Sequence, residues 1–338
     1  MPIDSDGRPT PPFDPASGAC AAGRGPDDGL VTASAPGRRP ELAGLRRPLG
    51  AGALGPPLAR LGVVLAVVDE IDSTNAELVR LARGVRGSTG LPVPTDRGAA
   101  VMPPGGVPAS PASDPVDELA GELASDPVVV LVAERQSAGR GRMDRSWQSA
   151  VGAGLMVSVL VRPAVATRWL GWLPLVVGTS LVRTLRSYAR LPAVLKWPND
   201  LQVDGEKLGG ILVELAPGPG VPPAAVIGFG LNVTALADEL PERSTSLLLR
   251  DVEPALLDRG RLLTALLTDL VGAISRWEQA PDGARGEYRE VCTTLGRLVR
   301  VELPDGTSVR GTATDVDEFG RLVVDGRAFS AADVIHLR

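Results

Sequence analysis

Gln136-Ser-Ala-Gly-Arg-Gly-Arg-Met-Asp-Arg-Ser-Trp147 places Arg140, Arg142 and Arg145 within six positions and sets Gly139 and Gly141 among them. Guanidinium forks match phosphate oxygens better than ammonium groups do, and glycines let backbone N–H donors approach a ligand closely. Such a loop suits a polyphosphate, with Trp147 over a base or an apolar ligand; a solvated basic loop is the plainer reading of the same residues. Lys196-Trp-Pro-Asn-Asp200 sets one ammonium just before a turn that Pro198 presets, with Asn199 and Asp200 able to bind their own backbone. There it would offset an acyl phosphate or a developing oxyanion, unless the segment is only a surface turn. Lys207-Leu-Gly-Gly-Ile-Leu-Val-Glu214 offers close backbone approach to a ligand or to a neighbouring strand. In Gly228-Phe-Gly-Leu-Asn232, Asn232 fits either an adenine edge or a turn. Ser73-Thr-Asn75 caps a helix, and a helix start also presents N–H groups to a polar ligand head.

Other chemistry is excluded by what the chain lacks. His336 is the single histidine, which leaves no Ser-His-Asp triad and no histidine-based zinc site; it reads as a strand-end surface residue. Cys20 and Cys292 cannot build a disulfide framework, in keeping with a reducing cytoplasm. The G-x-x-x-x-G-K-[ST] pattern is absent, and Gly228-Phe-Gly230 lacks the third glycine of a dinucleotide fingerprint. Residues 1–19 have no apolar core of a signal peptide, and the apolar stretch Trp169–Val182 is too short to span a bilayer. A net charge of −5 argues against a globally basic nucleic-acid surface.

The elements that must position these groups lie between two breaker-rich segments and the chain end. Of 40 glycines and 31 prolines, 10 and 11 fall in residues 1–57, and 7 and 8 in residues 84–127. Residues 1–57 read as a disordered Pro/Gly-rich tail with one short helix near Glu41–Arg47, and 84–127 as a low-complexity insert with a helical turn at Val116–Ala124. Between them, Leu61–Val68 reads as a strand, and Thr74 with Glu77 as a capping box starting a helix to about Arg83. Val128–Ala133 and Gly154–Arg162 read as strands and Thr167–Arg190 as a long apolar helix. Val194–Trp197, Leu201–Val203, Gly209–Leu215 and Ala225–Val233 follow as strands, then helices at Leu256–Gln279 and Tyr288–Thr294. Short strands at Arg297–Leu303, Ser308–Asp317, Leu322–Val324 and Ala328–Phe329 alternate with Asp-Gly and Phe-Gly turns, which is the rhythm of a small β barrel.

Taken in order, Ser73-Thr-Asn75, the G-R-G-R-x-x-R-x-W loop, K-W-P-N-D at 196–200, Lys207–Glu214, Gly228–Val233 and the terminal β module resemble the biotin protein ligase family over about residues 61–338. The resemblance implies an α+β fold: a central mixed sheet with packed helices, a class II synthetase-like ligase core, followed by a small SH3-like β-barrel domain. It divides the chain into a tail at 1–57, a catalytic domain at 58–285 carrying the insert at 84–127, and a C-terminal domain at 286–338.

The resemblance also implies an activity. Biotin and MgATP would give biotinyl-5′-AMP, and the biotin would pass to one lysine of a biotin carboxyl carrier domain. Ser73, Thr74, Asn75, Gln136, Arg140, Gly141, Arg142 and Lys196 would hold biotin. Arg142, Arg145, Trp147, Lys196, Asn199, Lys207 and Asn232 would face ATP. Lys196, Arg140 and Arg142 would be the catalytic groups, and Asn199 and Asp200 would support Lys196 or Mg²⁺. No resident metal and no membrane are expected, and no DNA, since residues 1–57 are Pro/Gly-rich and lack the two periodic helices of a DNA-binding domain. The alternatives are a lipoate or octanoate ligase of the same superfamily and a non-catalytic biotin-responsive regulator.

Overall fold

Runs of β-branched and apolar residues at Val63–Ile71, Val128–Gln136 and Gly154–Val161 form strands β1, β3 and β4, buried over most of their length. The computed structural model describes residues 39–84, 101–102, 128–218, 221–330 and 332–337. With β2 (Val101–Met102), β5 (Val194–Lys196), β6 (Asp200–Val203), β7 (Glu206–Gly218) and β8 (Val221–Asn232), these strands make one eight-stranded sheet of order β2-β1-β3-β4-β8-β7-β6-β5. The β1–β3 pair is parallel and the remaining pairs are antiparallel. Asp204 and Gly205, both at positive φ, close the β6–β7 hairpin as an Asp-Gly turn should.

Helices cover the two faces of the sheet. Under α3 (Thr74–Ala82) lies a small core of Leu78 and Leu81 against Val64, Val129, Leu131 and Val226. The larger core gathers α2 (Ala51–Ala59), α4 (Leu173–Tyr188), α5 (Arg259–Gln279) and α6 (Ala284–Val291). The same core runs on without a break into a second, five-stranded antiparallel sheet: β9 (Leu298–Glu302), β10 (Ser308–Val316), β11 (Leu322–Val324), β12 (Arg327–Phe329) and β13 (Asp333–His336), in the order β12-β11-β10-β9-β13. This is the α+β class expected from the sequence, with a β-sheet module at the chain end.

Four local expectations are corrected. The short helix expected near Glu41–Arg47 is present as α1 (Arg39–Leu45), but the described residues after it are not a disordered tail: α2 follows, and Leu54 and Leu58 are buried in the larger core. The segment's prolines and glycines hid this, although α2 packs on the neighbouring β1 as well as on the distant α5. Ser73, not Thr74, is the N-cap of α3, its Oγ accepting from the Ala76 N–H. The long helix is split, with a 3₁₀ turn at Thr167–Trp172 and the α-helix starting at Leu173, where Pro174 occupies the first turn. The terminal strand β13, carrying His336, was not read as a separate strand, and His336 is half-buried rather than a surface residue. The expected turn at Val116–Ala124 and Cys20 lie outside the described residues; of the insert, β2 is described as an edge strand paired to Leu65 and Ala66. Cys292 is buried with a free thiol. No helix among the described residues is long and apolar enough to cross a membrane.

Candidate active site

The parallel strands β1 and β3 end side by side, and the polar residues converge outside their carboxyl ends, where open sheets commonly bind ligands. Ser137 N–H and Ala138 N–H donate to the carbonyls of Ile71 and Asp72 at 2.9 and 2.8 Å, which sets Gln136 against the start of α3. Gln136 Oε1 accepts from Thr74 N–H at 2.8 Å and lies 3.1 Å from Thr74 Oγ1. Ser158, in the middle of β4, reaches both neighbours: its Oγ is 2.8 Å from Thr74 Oγ1 and 2.7 Å from Asn75 Oδ1. Asn75 Nδ2 donates to Glu214 at 2.7 Å, and Glu214 is 3.7 Å from the Arg140 guanidinium. Thr74, Asn75, Gln136, Arg140 and Ser158 form the polar wall of a narrow inner cavity of about 110 Å³, whose other walls include Met156, Ile211, Leu212 and Phe229. Ser73 is not part of it. Its hydroxyl is buried and spent on the helix cap.

Glycines make the space. A Cβ on Gly228 would overlap the Asn75 amide oxygen, and one on Gly230 would overlap the Trp147 indole. Trp147 lies over Gly230, its ring edge facing Gly210, and lines both the inner cavity and a wider outer cleft of about 940 Å³. The arginine loop is a small hairpin: Gly141 N–H donates to Arg145 O at 2.6 Å and Trp147 N–H to Gly139 O at 2.9 Å. At its tip Met143 and Asp144 hold φ of 53° and 58°, a left-handed backbone that side chains other than glycine adopt at a cost.

Charge is distributed unevenly over this frame. Arg140 and Arg145 are exposed, whereas Arg142 is partly buried and its guanidinium is pushed below its ordinary pKa by that burial, with Asp200 opposing. Arg142 reaches Asn199 Oδ1 at 3.3 Å and the Ala332 carbonyl at 3.4 Å, and Arg145 pairs with Asp333. Asn199 Nδ2 is itself anchored on the Ile211 carbonyl at 2.8 Å, so Asn199 braces Arg142. Lys207 is neutralised by Asp200 at 2.6 Å. Lys196 has no salt-bridge partner among the described residues, and burial pushes its ammonium below the ordinary lysine pKa, with Asp200 opposing. It lines the outer cleft together with Asp200, Lys207 and Asn232, and Asn232 is fixed by its bond to the Thr245 carbonyl at 3.0 Å.

The site residues read from the sequence are therefore brought together, apart from Ser73, in two adjoining spaces. Gln136, Thr74, Asn75, Gly141 and the arginines surround the inner one, and Lys196 and Asn232 the outer one. Ser158 was missed, although a lone serine inside Gly154-Leu-Met-Val-Ser-Val-Leu-Val161 is a buried polar group, and such groups are kept for a partner. No cluster of three metal-ligating side chains occurs among the described residues.

The inner pocket thus lies at paired strand ends and is lined by Arg140, Arg142, Arg145 and Lys207. Residues 121–232 match the Biotin/lipoate A/B protein ligase family, and residues 294–337 match the Biotin protein ligase C terminal domain. The chain is 42% identical over 218 residues to the Biotin--[acetyl-CoA-carboxylase] ligase of Mycobacterium tuberculosis, covering 62% of this chain and 79% of that protein. It is 33% identical over 212 residues to the Bifunctional ligase/repressor BirA of Escherichia coli, covering 61% of this chain and 63% of that protein. Its fold is similar to that of the biotin protein ligase from Aquifex aeolicus in complex with biotin and ATP, with a TM-score of 0.58, 23% identity, and coverage of 81% and 99% of the two chains. The chain belongs to the biotin protein ligase family and is an enzyme of the ligase class.

Proposed function

We propose that this enzyme condenses biotin with MgATP to biotinyl-5′-AMP, releasing diphosphate, and then transfers biotin to one lysine of a biotin carboxyl carrier domain, releasing AMP. The observation that carries the reading is Lys196, a half-buried cation with no carboxylate partner among the described residues, facing the outer cleft beside the arginine-ringed inner cavity. In the first step a biotin carboxylate oxygen attacks the α-phosphorus and the bond to the diphosphate breaks. Two anions must approach each other, so fixed cations have to offset their repulsion and then the charge that builds on phosphorus. Lys196 serves the carboxylate and the α-phosphate. Arg142, held by Asn199, serves the same charge from the loop, while Arg140 and Arg145 close over it.

Gln136, Thr74 and Asn75 supply donors and acceptors for the ureido ring, and Ser158 and Glu214 orient them. Asn232 and Trp147 serve the adenosine side, together with Lys207. Asp200, which lines both spaces, would be the residue to hold a Mg²⁺ carried on the triphosphate, and that metal would supply charge neutralisation at the phosphate oxygens. In the second step the neutral amine of the carrier lysine attacks the acyl carbon, AMP departs, and the amine loses its proton to solvent. No enzyme nucleophile is required, which agrees with a chain whose described cysteine is buried. A cytoplasmic enzyme follows from this chemistry, because its ATP and carrier substrates reside there.

Biotin-dependent ATP–diphosphate exchange tests the reading. Exchange is expected with biotin, absent with lipoate, and abolished in Lys196→Ala. Exchange that depends on lipoate instead would move the enzyme to the lipoate branch of the superfamily.

A further inference from the structure

Strand β5 is the outermost strand of the large sheet, and its free edge is met by the connector to the C-terminal sheet. Leu195 bridges to Cys292, and Thr293 N–H donates to the Leu195 carbonyl at 2.7 Å. Trp197, the residue directly after Lys196, donates its N–H to Thr294 Oγ1 at 3.0 Å. Thr294 is completely buried, so its hydroxyl hydrogen needs an acceptor of its own. That acceptor is Nε2 of His336, at 3.1 Å. With the ring hydrogen of His336 on Nδ1, Nε2 accepts the Thr294 hydroxyl hydrogen while the hydroxyl oxygen receives the Trp197 N–H, which satisfies each group of this hydrogen-bond chain. Burial, with Lys196 and Arg297 as neighbouring cations, holds the imidazole down at about 4, so the acceptor form persists at neutral pH. His336 also lines the same outer cleft as Lys196.

We propose that Thr294 and His336 are positioning residues for Lys196, a two-bond relay through which the docked C-terminal sheet fixes the β5 end and the placement of the lysine ammonium in the cleft. The relay rests on the assignment of Lys196 given under Proposed function. Thr294 is buried and lines neither space, and His336 acts on Lys196 from the wall of the outer cleft. Their effect is on alignment, which governs the rate of adenylate formation more than the affinity for biotin.

The test uses the full chain and single-turnover formation of biotinyl-5′-AMP. His336→Phe keeps a ring without an acceptor, His336→Gln restores an acceptor at similar reach, and Thr294→Val removes the relay hydroxyl at nearly constant volume. His336→Phe and Thr294→Val are expected to slow adenylation about 10-fold, the worth of one buried hydrogen bond, with the KM for biotin within about twofold of wild type. His336→Gln is expected to recover most of the rate. Each rate is taken on protein whose near-ultraviolet circular dichroism matches wild type, so that loss of fold is not read as loss of alignment. Wild-type rates in His336→Phe, or equal slowing in His336→Gln and His336→Phe, would overturn the relay while leaving Lys196→Ala inactive. Normal adenylation in Lys196→Ala would instead remove the assignment beneath it.

Discussion

Gly228 and Gly230 show how much of the site is decided by atoms that are absent. Neither carries a positive φ, so an alanine would suffer no backbone strain; it would suffer the neighbours. Gly228→Ala drives a methyl into Asn75 and displaces the Asn75–Glu214 bond, so the KM for biotin is expected to rise about 10-fold or more in steady-state kinetics. Gly230→Ala lifts Trp147 instead, and is expected to change the tryptophan emission of the free enzyme. The local motifs were legible in the sequence because each packs its chemistry into a few consecutive residues. Ser158, Thr294 and His336 were not. Their partners lie 84, 97 and 42 positions away, and no spacing rule brings a threonine between a lysine strand and the only histidine.

At the scale of elements, the segment before β1 is part of the enzyme's frame. Arg46, just after α1, grips the loop that follows β8: its guanidinium bonds both Glu239 oxygens at 2.9 and 2.6 Å and the Thr234 carbonyl at 2.8 Å. Glu239 lines the outer cleft, so Arg46→Ala is expected to raise the KM for ATP several-fold while leaving that for biotin nearly unchanged. A second tie is buried. Arg259 on α5 and Glu134 on β3 pair at 2.8 Å with almost no exposure, and hold the same segment through the Arg47 carbonyl and the Leu49 N–H. Removing one partner leaves a buried charge, so Glu134→Leu is expected to cost about 3–5 kcal/mol in denaturant unfolding, and a Glu134→Leu/Arg259→Met double variant much less. Composition concealed this segment: 11 prolines and 10 glycines in 57 residues read as tail and outweighed the helical spacing of Ala51, Leu54 and Leu58.

For the whole molecule, the decisive feature is that the two sheets share one core and several polar ties. Arg285 and Arg289 bond Asp315, Trp172 Nε1 donates to the Glu318 carbonyl at 2.9 Å, and Gly171 has no room for a side chain against Phe319. The hydrogen bond from Arg289 is the main influence holding the Asp315 carboxyl down at about 2, against desolvation. A carboxylate depressed in the folded state stabilises fully above its ordinary 3.8, and that contribution fades as pH falls toward 2. His336 works in a higher window. Its imidazole is depressed from 6.5 to about 4, so the unfolded chain binds the extra proton first, and stability falls as pH drops from 6.5 toward 4. The melting temperature of wild type is therefore expected to decline across that window, and that of His336→Gln to decline less; parallel curves would show that the imidazole is not held neutral. The fold class and the terminal β module were readable from periodicity and turn residues. Their union was not, because it depends on which exposed-looking turns meet once both sheets exist.

Transfer to the carrier is the most direct measurement. Purified enzyme is incubated with radiolabelled biotin, MgATP and a recombinant biotin carboxyl carrier domain, and label, AMP and diphosphate are counted together. The account predicts one biotin per carrier on a single lysine, one AMP and one diphosphate per biotin, no label without ATP, and none with Lys196→Ala. Label carried equally by lipoate, or full transfer by Lys196→Ala, would contradict it.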